Sequence, residues 1–244
     1  SQAALKWMVP MADSNRYAET VCIIIRSAGE RTESLCRDLV LEQGVPEENI
    51  RLIKEVPFTR ALQVSYRTGI DMGCRWTFCL DADVLLLPGT IQDMVTLAEQ
   101  QGETLFEIQC LVIDKFIGGP REAGNHLYRT ALLEKALPLV PEDENIIRPE
   151  TFTLNAMAAL GFPRRRINYL AGIHDFEQYY RDIYRKCFVQ AHKHQEYAEI
   201  FLSYWPGQSG SDADFQVAIK ALADGMQYQG NVRIDIQQDV YQQH

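Results

Sequence analysis

The segment RWTFCLDADVLLLPG, residues 75–89, decides how the chain is read. Trp76 to Leu80 is a short apolar run of the kind that forms a strand buried on both faces, and it ends in Asp81-Ala82-Asp83. Side chains alternate along a strand, so residues i and i+2 point the same way and both carboxylates are expected on one side, with the small Ala82 between them. Two carboxylates held together repel unless a cation or strong donors compensate them. Hard divalent ions favour oxygen ligands, typically one or two carboxylates plus phosphate oxygens of a substrate. The tripeptide therefore suggests a diphosphate held through a metal.

The chain carries its own control, a second copy at Asp212-Ala213-Asp214. That copy precedes an apolar-periodic stretch from Phe215 to Leu222. Ser211 or Asp212 there reads as a helix N-cap, with early acidic residues placed to suit the positive end of the helix dipole. The second copy is expected to be structural. The first closes a strand instead of opening a helix.

Working outward, the first half alternates strand and helix signals. Val21 to Ile25 is a β-branched apolar run, Glu30 to Gln43 reads as a helix stopped by Gly44, and Ile50 to Ile53 is a second short strand. Phe58 to Met72 is helical in pattern and stops at Gly73, just before the strand that delivers the acidic pair. Thr90 and Asp93 have capping-box spacing for a helix to about Gln101, and Phe106 to Ile113 is another strand. This series predicts an α/β fold with a largely parallel sheet covered by helices. Ligands bind beyond the carboxyl ends of such strands. Both Asp81-Asp83 and the turn Arg26-Ser27-Ala28-Gly29 after the first strand belong to that edge.

The second half is less regular. Gly118-Gly119-Pro120 precedes a predicted helix near Leu127 to Leu137, Glu142-Asp143-Glu144 forms an acidic loop, and Glu150 to Leu160 is helical. A long helical stretch rich in tyrosine (Tyr179, Tyr180, Tyr184, Tyr197) follows Asp175. Its tyrosines are expected to pack in the core with hydroxyls at the rim, with a membrane surface or a sugar as the alternative. Without repeats, low-complexity tracts or a linker, residues 1–244 are expected to form one domain.

Composition bounds the function. The net charge of −9 argues against a general nucleic-acid binder. Arg164-Arg165-Arg166 is a local basic exception, either a diphosphate contact centred on Arg165 or a solvated charge cluster. Six cysteines are scattered without paired spacing, several inside apolar runs, which points to a reducing compartment and a cytoplasmic location. No segment has the length of a transmembrane helix or the layout of a signal peptide. Ser1 is not an initiator residue, which points to residues removed upstream.

The order of strand, Arg26-to-Gly29 turn, helix and strand, followed by TRALQVSYRTGIDMGCRWTFCLDADVLLLPG, resembles the nucleotide-sugar-binding half of GT-A glycosyltransferases, especially the family 2-like group. Gly69, Leu80, Asp81, Asp83, Pro88 and Gly89 match that pattern, and the resemblance covers roughly residues 20 to 115. It implies a GT-A (Rossmann-like) fold, mainly parallel and flanked by helices. Residues of about 20–115 would form the nucleotide-sugar half, and about 116–244 a more helical acceptor-side half. Two departures concern nucleotide contacts: Arg26-Ser27-Ala28-Gly29 stands where many relatives have a Pro-x-Tyr-Asn-like turn, and Tyr66-Arg67-Thr68 where Ala-Arg-Asn is usual.

The resemblance further implies transfer of a sugar from a nucleotide diphosphate sugar to an acceptor hydroxyl, with a divalent cation (Mn²⁺ or Mg²⁺). Asp83 would bind the metal with His174, the histidine such enzymes contribute from the C-terminal half; a capping histidine beside Asp175 is the other reading. Asp81 would act at the metal, the ribose or a water. Arg26, Ser27, Gly29 and Arg165 would contact the donor. Glu150, in RPETFTLNAMAALGFP, is the nearest match to the catalytic base an inverting enzyme needs, with Glu142-Asp143 as a looser candidate; a retaining enzyme needs none. His192 and His194 are read as solvated. A sugar nucleotidyltransferase is the main rival, for which the loop from Ser27 to Thr32 offers one glycine. A non-catalytic nucleotide- or glycan-binding module is the third reading.

Overall fold

A computed structural model describes residues 17–143, 145–193 and 195–232. In chain order the elements are β1 (Val21–Arg26), α1 (Glu33–Glu42), β2 (Ile50–Ile53), α2 (Phe58–Met72), β3 (Trp76–Asp81), β4 (Val84–Leu86), α3 (Thr90–Glu99), β5 (Glu107–Asp114), β6 (Gly119–Glu122) and β7 (Asn125–Arg129). Then come α4 (Leu133–Ala136), α5 (Pro149–Ala159), β8 (Arg164–His174), α6 (Tyr180–Lys193), α7 (Ala198–Gln208) and α8 (Ala213–Gln227). The expected α/β layering is present. Among the described residues one sheet runs β2-β1-β3-β7-β5-β8-β4, with β6 paired to β5.

β1, β2, β3, β5 and β8 share one direction, while β7, β4 and β6 run against them. The sheet is thus mixed, and β5 is separated from β3 by the antiparallel β7. That strand corrects the expected helix from Leu127 to Leu137, of which only Leu133–Ala136 is α-helical. Leu127 packs on one face of the sheet and Tyr128 on the other, both fully buried. A strand buried on both faces loses the polar–apolar alternation that would have marked it.

Alternation along β1 and β3 builds two cores. Val21, Ile23, Ile25, Trp76, Phe78 and Leu80 face α1 and α3, while Ile24 and Cys79 face Leu62 and Tyr66 of α2 and Leu154 and Met157 of α5. Burying each such side chain contributes roughly 1.5–3 kcal/mol. A third core, from Phe116 through Phe188, Phe201, Trp205 and Phe215, joins α6, α7 and α8. Tyr184 packs there with its hydroxyl donating to Asp224, whereas Tyr179 and Tyr180 are exposed. All six cysteines are buried and free.

Two capping expectations had different outcomes. Asp212 is the N-cap of α8, its side chain accepting from the Asp214 amide, and both carboxylates pair with Lys115. For α3 the N-cap is Gly89, and the Thr90 hydroxyl donates instead to the Ala171 carbonyl at 2.9 Å, which fastens the helix to β8. His192 is half-buried and its Nε2 lies 2.7 Å from the Gly225 carbonyl, a packed position and not a solvated one. His194 and Glu144 lie outside the described residues.

Gly172 of β8 pairs with Leu86, and a Cβ added there would lie 2.3 Å from the Leu85 carbonyl oxygen. Gly172→Ala must therefore push β4 from β8. The expected cost is ~1–3 kcal/mol, typical of overpacking, read as a lower urea midpoint.

Candidate functional site

Strand register assembles the site. β3 ends at Asp81, the chain turns at Ala82, and β4 then pairs antiparallel with β8 so that Val84 lies opposite His174. On its other side β8 pairs with β5, and there His174 lies opposite Asp114. One histidine is thus fixed between the residue after Asp83 and an aspartate of the next strand. Asp175 follows at φ 65°, a left-handed backbone that aspartate tolerates better than most residues, and its amide lies 3.3 Å from the Asp83 carbonyl.

Asp83, His174 and Asp175 each bring a donor atom to within 4.8 Å of one another, all three buried. Asp83 Oδ1 is buried without a hydrogen-bond partner among the described residues, and His174 Nε2 faces it at 3.6 Å. The other ring nitrogen, Nδ1, lies 2.7 Å from Asp114 Oδ2. A carboxylate on one imidazole nitrogen orients the ring and leaves the other nitrogen to a metal. Asp114 is itself held, Oδ1 accepting from the amides of Phe116 (2.9 Å) and Ile117 (3.0 Å), and Oδ2 from Arg121 Nε (2.6 Å). These residues fit a divalent cation, and the mixed oxygen–nitrogen set suits Mn²⁺ better than Mg²⁺. Asp81 does not belong to this group, whereas Asp175, which follows His174, does.

Charge compensation is strong. Burial alone would raise Asp83, but the adjacent Lys186 ammonium and His174 hold it well below the usual carboxylate range. Burial would raise Asp114 as well, and the His174 hydrogen bond and charge together with Arg121 reverse it. Lys186 bridges Asp83 Oδ2 and Asp175 Oδ1 from α6.

Asp81 belongs to a second network. In the β1–β3 register Arg26 lies opposite Asp81, and Arg26 Nε donates to Asp81 Oδ1 at 2.8 Å. The remaining guanidinium nitrogens donate to Glu150, Nη1 to Oε1 at 2.8 Å and Nη2 to Oε2 at 3.3 Å. Glu150 also accepts from the Tyr128 hydroxyl at 2.5 Å and lies 3.0 Å from His126 Nε2. His126 Nδ1 lies 2.7 Å from the buried Glu107. Burial would raise Glu150, but Arg26 and His126 hold it well below the carboxylate range. With both oxygens committed, Glu150 is a poor proton acceptor and a firm anchor for Arg26. Glu142 and Asp143 are exposed and do not line the cavity.

Both networks open into one cavity of about 360 Å³, a size suited to a small-molecule ligand. Its walls include Arg26, Ser27, Glu30, Asp81, Asp83, Glu150, His174 and Asp175. The same cavity is also lined by the cations Arg121, Arg148 and Lys193. Burial, then Arg121 and Arg148, push the Lys193 ammonium down to about 8. The Ser27 hydroxyl lies against the carboxylates of Glu30 (2.9 Å) and Glu33, and accepts from the Gly29 amide at 2.9 Å. Gly29 makes this turn at φ 90°. Arg165 is exposed and does not line the cavity, whereas its neighbour Arg164 does, reaching Gln109 Oε1 at 2.9 Å.

No protein-family model and no curated protein sequence matches the chain. Among solved structures it is similar to the mannosyltransferase PcManGT from Pyrobaculum calidifontis in complex with GDP-Man and Mn²⁺, at 14% identity over 89% of this chain and 77% of that one, with a TM-score of 0.48. It is also similar to a glycosyltransferase involved in the glycosylation of the major capsid of PBCV-1 (15% identity, 62% and 82% covered, TM-score 0.41). A third similar structure is CMP:2-keto-3-deoxy-manno-octonic acid synthetase with CTP (12% identity, 63% and 91% covered, TM-score 0.40). At such identities and overlaps the likeness concerns chain path, and the chemistry has to come from the side chains.

Sequence reasoning missed Asp114, Asp175, Lys186, Arg121, Lys193 and His126. Asp175 had a signal, as the neighbour of His174. The others reach the site only through long-range pairing and helix docking. Glu30, read as helical, stays in the loop before α1, where burial and the nearby Asp83 raise its carboxyl.

His126 gives a pH prediction. Burial would lower its pKa, but Glu150 and Glu107 raise it to about 9 from an ordinary 6.5. A raised folded-state pKa contributes stability that is full below the unfolded value and lost as pH rises through the folded one. Urea unfolding between pH ~6 and ~10 should show the parent losing stability relative to His126→Gln, with most of the change between about 6.5 and 9.

Proposed function

We propose that the chain is a glycosyltransferase that takes a sugar from a nucleoside diphosphate sugar and hands it to an acceptor hydroxyl. One observation carries this reading: a single cavity joins the Asp83–His174–Asp175 group to the cations Arg121, Arg148 and Lys193. Lys193, its ammonium pushed down first by burial and then by the neighbouring Arg121 and Arg148, stands where an anion would restore balance. Carboxylate and imidazole ligands beside such cations suit a diphosphate, whose oxygens can face both.

Asp83, His174 and Asp175 would hold the divalent cation, with Asp114 and Arg121 fixing the His174 ring. When bound, that cation supplies Lewis-acid neutralisation of the charge that grows on the departing diphosphate. The chain's own cations, Arg121 and Lys193, act on the same charge and are already in place, which limits reorganisation. Arg26 is held by Asp81 and Glu150 and keeps the floor of the donor site rigid. Asp81, with its side chain 32% exposed, offers an acceptor to donor hydroxyls. A nucleotidyltransferase would want free amides after β1, and there the Ala28 and Gly29 amides already donate to Glu30 and Ser27. Among the described residues no helix is long and apolar enough to cross a membrane.

A thermal-shift panel of UDP-, GDP-, dTDP- and CMP-sugars with and without Mn²⁺ tests the proposal, since a ligand that binds only the folded state raises the melting temperature. One nucleotide class should raise it in a Mn²⁺-dependent way and be slowly hydrolysed. Asp83→Asn should lower turnover about 100-fold or more while leaving the protein folded. Pyrophosphate release from a nucleoside triphosphate and a sugar phosphate would overturn the reading.

A further inference from the structure

Lys186 is at odds with a site kept only for a metal. Its ammonium bridges Asp83 Oδ2 and Asp175 Oδ1, so it already occupies oxygens of two of the three residues that would hold a cation. The lysine comes from α6, which packs through Ile183, Cys187 and Phe188 into the third core and is not part of the sheet that carries the aspartates. Without it, Asp83 and Asp175 would be buried next to each other, with His174, Arg121 and Arg185 as nearby cations but no ammonium bridging the pair.

We propose that the Lys186 ammonium and a divalent cation are alternative occupants of the Asp83–Asp175 pair, and that cation binding releases Lys186 into the cavity to meet the phosphates of the ligand. This inference rests on the cation site proposed above. A dication placed among these carboxylates brings the charge that Lys186 supplies and repels the ammonium at short range. The displaced side chain has somewhere to go. Lys186, Val189, Gln190 and Lys193 follow helical spacing and all line the cavity, so one face of α6 presents both lysines to it. Lysine suits such a role, as a compact charge on a flexible four-carbon stem, where a guanidinium would be held by its planar fork.

The exchange has three consequences. The cation-free protein keeps its aspartates ionised and in place, with the lysine as counter-ion. Metal affinity is lowered by the occupancy of the lysine-in state, because only the lysine-out fraction can bind. Cation and anionic ligand bind cooperatively, since the first frees a partner for the second.

The test is Mn²⁺ affinity by titration calorimetry for the parent, Lys186→Met and Lys186→Met with Asp83→Asn. Methionine keeps an unbranched stem and removes the charge. The expected result is Mn²⁺ binding about tenfold tighter or more in Lys186→Met, since a lysine-out state populated at 10% or less would hold the parent back by that factor. Adding Asp83→Asn should abolish the gain. Lys186→Met should also melt lower than the parent in EDTA and recover on adding Mn²⁺. If it does not fold without metal, refolding with Mn²⁺ replaces the titration: rescue supports the exchange, and failure at saturating Mn²⁺ overturns it. Equal or weaker Mn²⁺ binding in Lys186→Met overturns the exchange while leaving the cation site standing. Absence of Mn²⁺ binding in both parent and Lys186→Met removes the cation site and the exchange with it.

Discussion

Asp83, Asp114 and Asp175 are buried around one imidazole, and the arrangement stands only because cations reach it. Desolvation disfavours each charged carboxylate, and a buried charge without a partner is among the costliest features a fold can carry. His174, Arg121 and Lys186 answer that demand from β8, β6 and α6. The helical layer of the C-terminal half is therefore tied to the sheet by charge as well as by its apolar core. A site that can neutralise buried carboxylates with its own side chains is also one that can exchange one of those charges for another.

The tripeptide Asp81-Ala82-Asp83 divides its labour. Ala82 is fully buried in the sheet core, while the two carboxylates line the same cavity and join different networks. Asp81 extends a chain that runs through Arg26, Glu150 and His126 to Glu107, all packed between the sheet and α5. Asp83 extends the cluster around His174. The first network makes a wall in which Arg26, Glu150 and His126 are held at several atoms each, with Glu107 Oε2 its one buried oxygen lacking a hydrogen bond among the described residues. The second leaves Asp83 Oδ1 unmatched among the described residues, and that is where a ligand is wanted.

Much of the cavity edge formed by β1 and β3 could be read in the sequence because it depends on local rules. Parallel register put Arg26 opposite Asp81, so the first turn and the strand end meet as expected, while Asp83 lies past the end of β3 in a turn and reaches the same cavity without the strand alternation that was expected to carry it there. His174 came from a resemblance and lies beside Asp83. Glu150 also reaches the cavity, but its environment could not be foreseen: His126 and Tyr128 belong to a strand that reads as a helix because both its faces are buried. β8 was equally illegible, since Arg164-Arg165-Arg166 looks like surface and its partners, β5 and β4, lie far away in the chain. Lys186 has no local signal at all. Its meaning comes only from how α6 docks.

Anomalous diffraction at the manganese edge from crystals soaked in Mn²⁺ would locate the cation directly. One strong peak is expected within ligand distance of Asp83, His174 Nε2 and Asp175, with Lys186 Nζ withdrawn from the two carboxylates. A peak coordinated by Asp81 in place of Asp175, or manganese bound only at the protein surface with Lys186 still bridging, would contradict that placement.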